Sequence, residues 1–250
     1  MNFSFLEKYY MYFLKGALNT IILSFFAVFI GTILGLFLTL LRRSNVKPIR
    51  FVLDKLNIKF ENGKNVFSRF MIKLVDGNPI KFIASAYVEF VRGTPLLVQI
   101  YIIYIGVPKV LGIDFPDMVV AAIALFLNSA AYVSEIIRAG IEAVDKGQME
   151  AARSLGMNSR IAMFYIVIPQ AFKNILPALV NEFIAIIKDS SMVCVIGVAE
   201  LMYNANTVRG SIALGLEPVI VAAIIYFIIT FTLTRVLGTV ERRLKASDMR

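Results

Sequence analysis

From Ala17 to Leu41 the chain runs without a single charged residue, and Arg42-Arg43 ends the run. As a helix at 1.5 Å per residue, that stretch is long enough to cross the roughly 30 Å hydrocarbon layer of a bilayer. It is also too long for a signal-peptide core and lacks a small-residue cleavage site bounded by polar sequence, so it is expected to remain as a membrane helix. Further apolar stretches follow at about 81–107, 118–141, 161–187 and 217–240. With a mean hydropathy of +0.76 and 58% hydrophobic residues in 250, a large water-facing fold is excluded. The expectation is an all-α, polytopic membrane protein with five transmembrane helices in one domain, 1–250.

Charge gives the orientation. The formal net charge of +9 would suit nucleic acid, but the basic residues gather at alternate ends of the apolar stretches. Ten Lys or Arg fall in 42–81, four in 138–160 and five in 235–250, against Lys8, Lys15, Lys109 and Arg209 on the other face. The expected placement is the cell membrane, with the N-terminus outside, the C-terminus cytoplasmic and no nucleic-acid partner. Cys194 is the lone cysteine and there is no histidine, which removes internal disulfides, histidine catalysis and His-Cys metal sites. No metal site and no catalytic residue is expected, and the chain carries no phosphate-binding Gly-x-x-x-x-Gly-Lys-Ser/Thr loop.

The segments between the spans have characters of their own. Residues 1–15, rich in Phe and Tyr, read as an interfacial lead-in, and Gly31 and Gly35 in the first span read as a close-packing pair. The stretch 44–80 reads as a cytoplasmic insertion. Asn62-Gly63 is a hairpin signal there, and Phe67, Phe70, Met71 and Leu74 form an interfacial stripe that would meet membrane lipid. Gly93 and Pro95 should kink or break the second span, and Pro169 and Pro177 should bend the fourth. Ser190 to Leu216 reads as an irregular outer loop with a short helix around Val198 to Tyr203.

A charge at the centre of a membrane helix costs about 2.5 to 3.5 kcal/mol on insertion scales, so each needs a partner or a task. Glu89 with Arg92, and Glu135 with Arg138, are spaced to meet on one helix face. Glu182 and Asp189 are seven apart on one face of the fourth span, and Asn128-Ser129 sits mid-way along the third. Glu89, Arg92, Asn128, Ser129, Glu182 and Asp189 are therefore the candidate substrate-binding residues for an amino-acid zwitterion. Arg92 would take the α-carboxylate and an acidic residue the ammonium group. The remaining carboxylates lean toward a ligand with a second positive charge.

Between the third and fourth spans, 142–160 carries Gly147-Gln148-Met149-Glu150-Ala151-Ala152-Arg153-Ser154-Leu155-Gly156. Asp145 can cap a helix there and Gly156 can end it in a left-handed conformation. A helix of about two turns is unstable alone in water. Held between membrane spans, it reads as a docking element; the other reading, a helix-turn-helix for DNA, sits poorly with membrane segments on both sides.

Glu150-Ala151-Ala152 with Gly156, followed by Ile168-Pro169, resembles the EAA loop of the membrane subunits of ABC importers. Arg92-Gly93-Thr94-Pro95-Leu96-Leu97, the run Asn128 to Arg138, and Lys188-Asp189-Ser190-Ser191 are similar to the polar amino-acid uptake permeases of the histidine, glutamine and arginine type. The resemblance covers about 16–43 and 84 to the end, and 44–80 does not fit it. It implies a type I importer permease core that pairs with a second permease subunit, identical or related, and passes substrate between the two near mid-membrane. Separate ATPase subunits, which bind ATP and Mg, would dock on Gln148, Glu150, Ala151, Ala152, Leu155 and Gly156, and an external amino-acid-binding protein would deliver the substrate. This chain would hold no cofactor. The alternative is a channel or a secondary transporter driven by an ion gradient, which needs no ATPase-docking helix.

Overall fold

The computed structural model describes residues 2–44, 78–212 and 215–246, and among them there are helices and no strands. The Asn62-Gly63 hairpin and the Phe67 to Leu74 stripe lie outside the described residues. The helices are α1 (Leu6–Arg43), α2 (Pro79–Gly93), α3 (Leu96–Leu111), α4 (Asp117–Glu142), α5 (Lys146–Ser154) and α6 (Ser159–Ala162). A π-helical turn, Met163–Val167, leads into α7 (Ile168–Asp189), then a 3₁₀ segment, Ser190–Ile196, into α8 (Leu201–Ser211) and α9 (Glu217–Ala246).

α1 is one continuous helix of 38 residues, so the aromatic lead-in belongs to the first span rather than lying beside it. Its first turn is anchored because Phe5 and Phe13 pack against Leu201, Ala205 and Val208 of α8. Along its length the buried face is made mostly of small residues: Gly16, Thr20, Ser24, Ala27, Gly31, Gly35 and Thr39. Apolar burial gives little drive between helices in lipid, so small side chains that let backbones approach are what hold such a bundle. A Cβ at Gly31 would lie 2.9 Å from Ser129 Cβ, and one at Gly35 would lie 2.8 Å from Val133 Cγ1 and 2.9 Å from the Ala130 carbonyl oxygen.

These contacts also fix the topology. Gly31, Gly35 and Thr39 meet Ser129, Val133 and Ser134 in the same order, so α1 and α4 run parallel. Ile175 packs on Gly140 while Glu182 reaches Ser129, so α7 runs antiparallel to α4. The Asn78 side-chain amide donates to the Ser44 carbonyl at 2.7 Å, so α2 begins where α1 ends. Asn2 N–H donates to Glu217 at 3.4 Å, so α9 begins at the N-terminal face. Five passes result: α1, α2 with α3, α4, α7 and α9, the N-terminus on one face and α5 on the other.

Three of these helices, α1, α4 and Glu217–Thr239 of α9, are long and apolar enough to cross a membrane, and α2 with α3 makes a fourth candidate bent by 115°. That bend is far sharper than a proline kink. It is stabilised by Gln99, whose amide donates to the Val91 carbonyl at 2.7 Å and to the Thr94 carbonyl at 3.0 Å, satisfying backbone acceptors that the break releases. The fifth pass, α7, runs unbroken through Pro177. Pro169 lacks an N–H and crowds the carbonyl four residues back, and the helix widens there into the π turn.

The outer loop is more ordered than expected: α8 starts and ends later than the short helix read from sequence. Glu200 caps it, accepting from Met202 N–H at 2.9 Å, Tyr203 N–H at 2.7 Å and the Tyr226 hydroxyl at 2.6 Å. Burial pushes its carboxyl above the usual range, and these donors oppose the shift. Glu200 thus joins α8 to α9, and the Thr20 hydroxyl, accepting from Leu201 N–H at 3.2 Å, joins both to α1.

Candidate functional site

The short helix α5 forms where expected. Asp145 caps it by accepting from Gly147 N–H at 2.6 Å. Met157 N–H reaches the Ala152 carbonyl, Gly156 N–H reaches that of Arg153, and Gly156 sits at φ +88°, a Schellman ending that a Cβ resists. Of the six expected docking residues, Gln148, Glu150, Ala151, Leu155 and Gly156 are exposed, Leu155 most of all at 86%. Ala152 is turned inward at 4% exposure. Behind the helix, Met149, Met163 and Ile175 close over Val144, Val167 and Ala171, so α5 rests on the π turn and the base of α7.

The expected substrate residues separate into two groups. Near the face that carries α5, Glu135 gathers three arginines from three helices. Arg42 of α1 and Arg138 of α4 bond its two oxygens, and Arg92 of α2 lies 3.4 Å away with its guanidinium over the Tyr132 ring. Arg138 also pairs with Glu142 at 2.7 Å. The Glu135 and Arg138 pair therefore forms as read from spacing, whereas Arg92 turns to Glu135 instead of Glu89. Glu89 is exposed on α2.

The second group lies midway along α4 and α7. Asn128 donates to Gln99 at 2.9 Å, which connects it to the α2–α3 break. Beside it the Ser129 hydroxyl is fully buried and faces the Glu182 carboxylate without completing a hydrogen bond. Glu182 is 9% exposed and has no cationic partner within ion-pair distance among the described residues. Asp189, half-buried two turns on, lies at the far end of α7 beside Lys188. Buried polar groups are ordinarily partnered, and a carboxylate next to an unsatisfied hydroxyl at mid-depth is the arrangement a polar ligand completes.

Gln99 was missed from sequence. Its signal was present: an amide inside an otherwise apolar run, four residues after Pro95.

A five-pass helical bundle with an exposed, glycine-ended helix on one face and a polar interior is a membrane permease. The chain belongs to the family of binding-protein-dependent transport system inner membrane components, whose model matches residues 66–246, and within it to the amino-acid ABC transporter permease subunits. It is 46% identical to the arginine transport system permease protein ArtQ of Bacillus subtilis over 71% of this chain and 81% of that one. It is 34% identical to a putative glutamine transport system permease protein of Rickettsia conorii over 97% and 98% of the two chains. A crystal structure of an amino acid ABC transporter with histidines superposes at a TM-score of 0.81, with 44% identity, over 97% of this chain and 100% of that one. The inward-facing MetNI methionine ABC transporter shares the fold at a TM-score of 0.70 and 15% identity, over 98% and 99%.

Proposed function

We propose that this permease subunit imports cationic amino acids by alternating access at a dimer of permease subunits, driven by cytoplasmic ATPase subunits that bind ATP and Mg and dock on α5. An external amino-acid-binding protein delivers the substrate, and the N-terminus faces outward, a sidedness that the distribution of basic residues supports. The observation that carries the cationic reading is that Glu182 has no cationic partner among the described residues. The arginines available to neutralise it, Arg42, Arg92 and Arg138, are engaged by Glu135 instead. A buried carboxylate left without a protein cation favours a ligand that brings one. Of the relatives, one is named for arginine, a cationic amino acid, and another for glutamine, a neutral one.

Uptake of labelled arginine into vesicles containing this chain, its ATPase and its binding protein tests the reading. Uptake should require ATP inside, persist with a protonophore, and be blocked by low concentrations of arginine or lysine. Glu182→Gln should depress arginine uptake at least tenfold while leaving assembly intact. Block by glutamate alone would defeat the cationic reading, and loss of uptake on collapsing the ion gradient would favour a secondary transporter.

A further inference from the structure

At the coupling face, the last turn of α1 and the first turn of α2 are tied together by the Asn78 to Ser44 hydrogen bond. A cavity of about 800 Å³ opens beside this tie, and Arg42, Arg43, Lys81, Arg138 and Lys146 line it together with Glu142 and Asp145. Two of these are spent: Arg42 on Glu135, and Arg138 on Glu135 and Glu142. Arg43 and Lys81 have no acidic partner within ion-pair distance among the described residues. Both are exposed, Arg43 in the last turn of α1 and Lys81 in the first turn of α2.

On the neighbouring face of the same two helices lies a second cavity of about 360 Å³, walled by Leu38, Leu41, Ile80, Ala84 and Tyr87 over a floor of Leu127 and Ala130. Its lining is apolar, because the Tyr87 hydroxyl is turned away to donate to the Leu127 carbonyl at 2.7 Å. On each helix the linings of the two cavities are consecutive in sequence. Leu38 and Leu41 alternate with Thr39 and Arg42, and Ile80 and Ala84 precede Lys81 and Ser85. A basic rim and a hydrocarbon groove therefore share one seam, at the height where a phosphate headgroup meets its acyl chains.

We propose that this seam binds an anionic phospholipid, the phosphate held by Arg43 and Lys81 and one acyl chain laid along Leu38, Leu41, Ile80 and Ala84. Charge complementarity selects this occupant: two cations without an acidic partner among the described residues match a phosphate, and the apolar groove matches a chain that a soluble anion lacks. Both cations belong to α1 and α2, and the opposite wall of the same cavity is made by Lys146 and Met149 of α5.

The test is native mass spectrometry of the full chain, with whatever subunits co-purify, titrated separately with phosphatidylglycerol, phosphatidylcholine and inorganic phosphate. A basic side chain beside an anionic headgroup strengthens binding about fivefold, so the double variant R43Q/K81Q should bind phosphatidylglycerol about thirtyfold more weakly. R43K/K81R should retain binding, which separates lost charge from lost fold. Ile80→Trp, which fills the groove from a half-open position, should weaken phosphatidylglycerol binding with both cations still in place. Undiminished phosphatidylglycerol binding by R43Q/K81Q would overturn the proposal. So would equal binding of phosphatidylcholine by the wild type, and displacement of phosphatidylglycerol by stoichiometric inorganic phosphate would make it a free-anion site instead.

Discussion

The contact between α1 and α4 depends on Gly35 having no side chain, and Gly35→Ala measures that dependence. A Cβ there would stand 2.8 Å from Val133 Cγ1, 2.9 Å from Val133 Cβ and 2.9 Å from the Ala130 carbonyl oxygen. Val133 is rotamerically stiff, and the carbonyl belongs to helix backbone, so neither neighbour yields by turning a flexible end aside. The helices must separate by several tenths of an ångström. That strains the Thr39 hydroxyl bond to the Ser134 carbonyl, 3.1 Å, and the Arg42 to Glu135 pair one turn further on. Overpacking of this kind costs about 1 to 3 kcal/mol. Alanine also favours helix over glycine by roughly 0.5 to 1 kcal/mol, which would mask part of the loss. Gly238→Ala supplies the correction, because Gly238 is inside α9 with nothing near its would-be Cβ. Unfolding in mixed micelles by SDS titration, followed by circular dichroism, should place G35A about 1 to 3 kcal/mol below G238A. Equal stabilities within about 0.5 kcal/mol would refute the close-packing account of this bundle.

Three further substitutions probe α5, the break between α2 and α3, and the Glu200 cap of α8. Gly156→Val meets a backbone at φ +88°, with a strain of about 1 to 2 kcal/mol. The permease should still insert, while transport-stimulated ATP hydrolysis by the partner falls; unchanged stimulation would remove Gly156 from coupling. Gln99→Leu leaves the Val91 and Thr94 carbonyls and the Asn128 amide without their partner, a loss of about 1 to 3 kcal/mol for each unsatisfied group that water cannot reach. Thermal unfolding should shift down accordingly, and a shift below about 1 °C would mean that the break is held by something else. Glu200→Ala removes the acceptor for two backbone N–H groups and the Tyr226 hydroxyl. Amide exchange should accelerate at Met202 and Tyr203, with α9 loosening from α8, and protection equal to wild type would show the carboxylate to be dispensable.

The passes were legible because hydrocarbon-length apolar runs and basic stops leave the backbone few options. Gly156 was legible because a left-handed helix end has one common solution. Partner choice was not. Spacing put Glu89 and Arg92 on one helix face, yet Arg92 reaches Glu135 on another helix, since i,i+3 spacing permits a pair without excluding a better-placed rival. The 115° turn at Pro95 was hidden for a similar reason: proline marks a break, while its angle is set by what Gln99 and Asn128 hold on either side. α8 could have been found, because Leu201, Ala205 and Val208 recur at helical spacing within a polar stretch. Ala152 facing inward follows from the same periodicity: on a helix of nine residues one face must be buried, and Met149 lies on that side.

The path from α5 to the mid-depth carboxylate is short and stiff. Met149 brings α5 against the π turn, and Val167, its last residue, is fifteen residues from Glu182, about 22 Å along one helix. Between them Ile175 packs into the space above Gly140, where a Cβ would collide, so α7 slides along α4 only by lifting that side chain. A close-packed interior transmits displacement instead of absorbing it. The irregular element on this route is the π turn itself, Met163–Val167, which joins α6 to α7. The π turn therefore lies next to the exposed helix, and the unbroken part of α7 next to the polar interior.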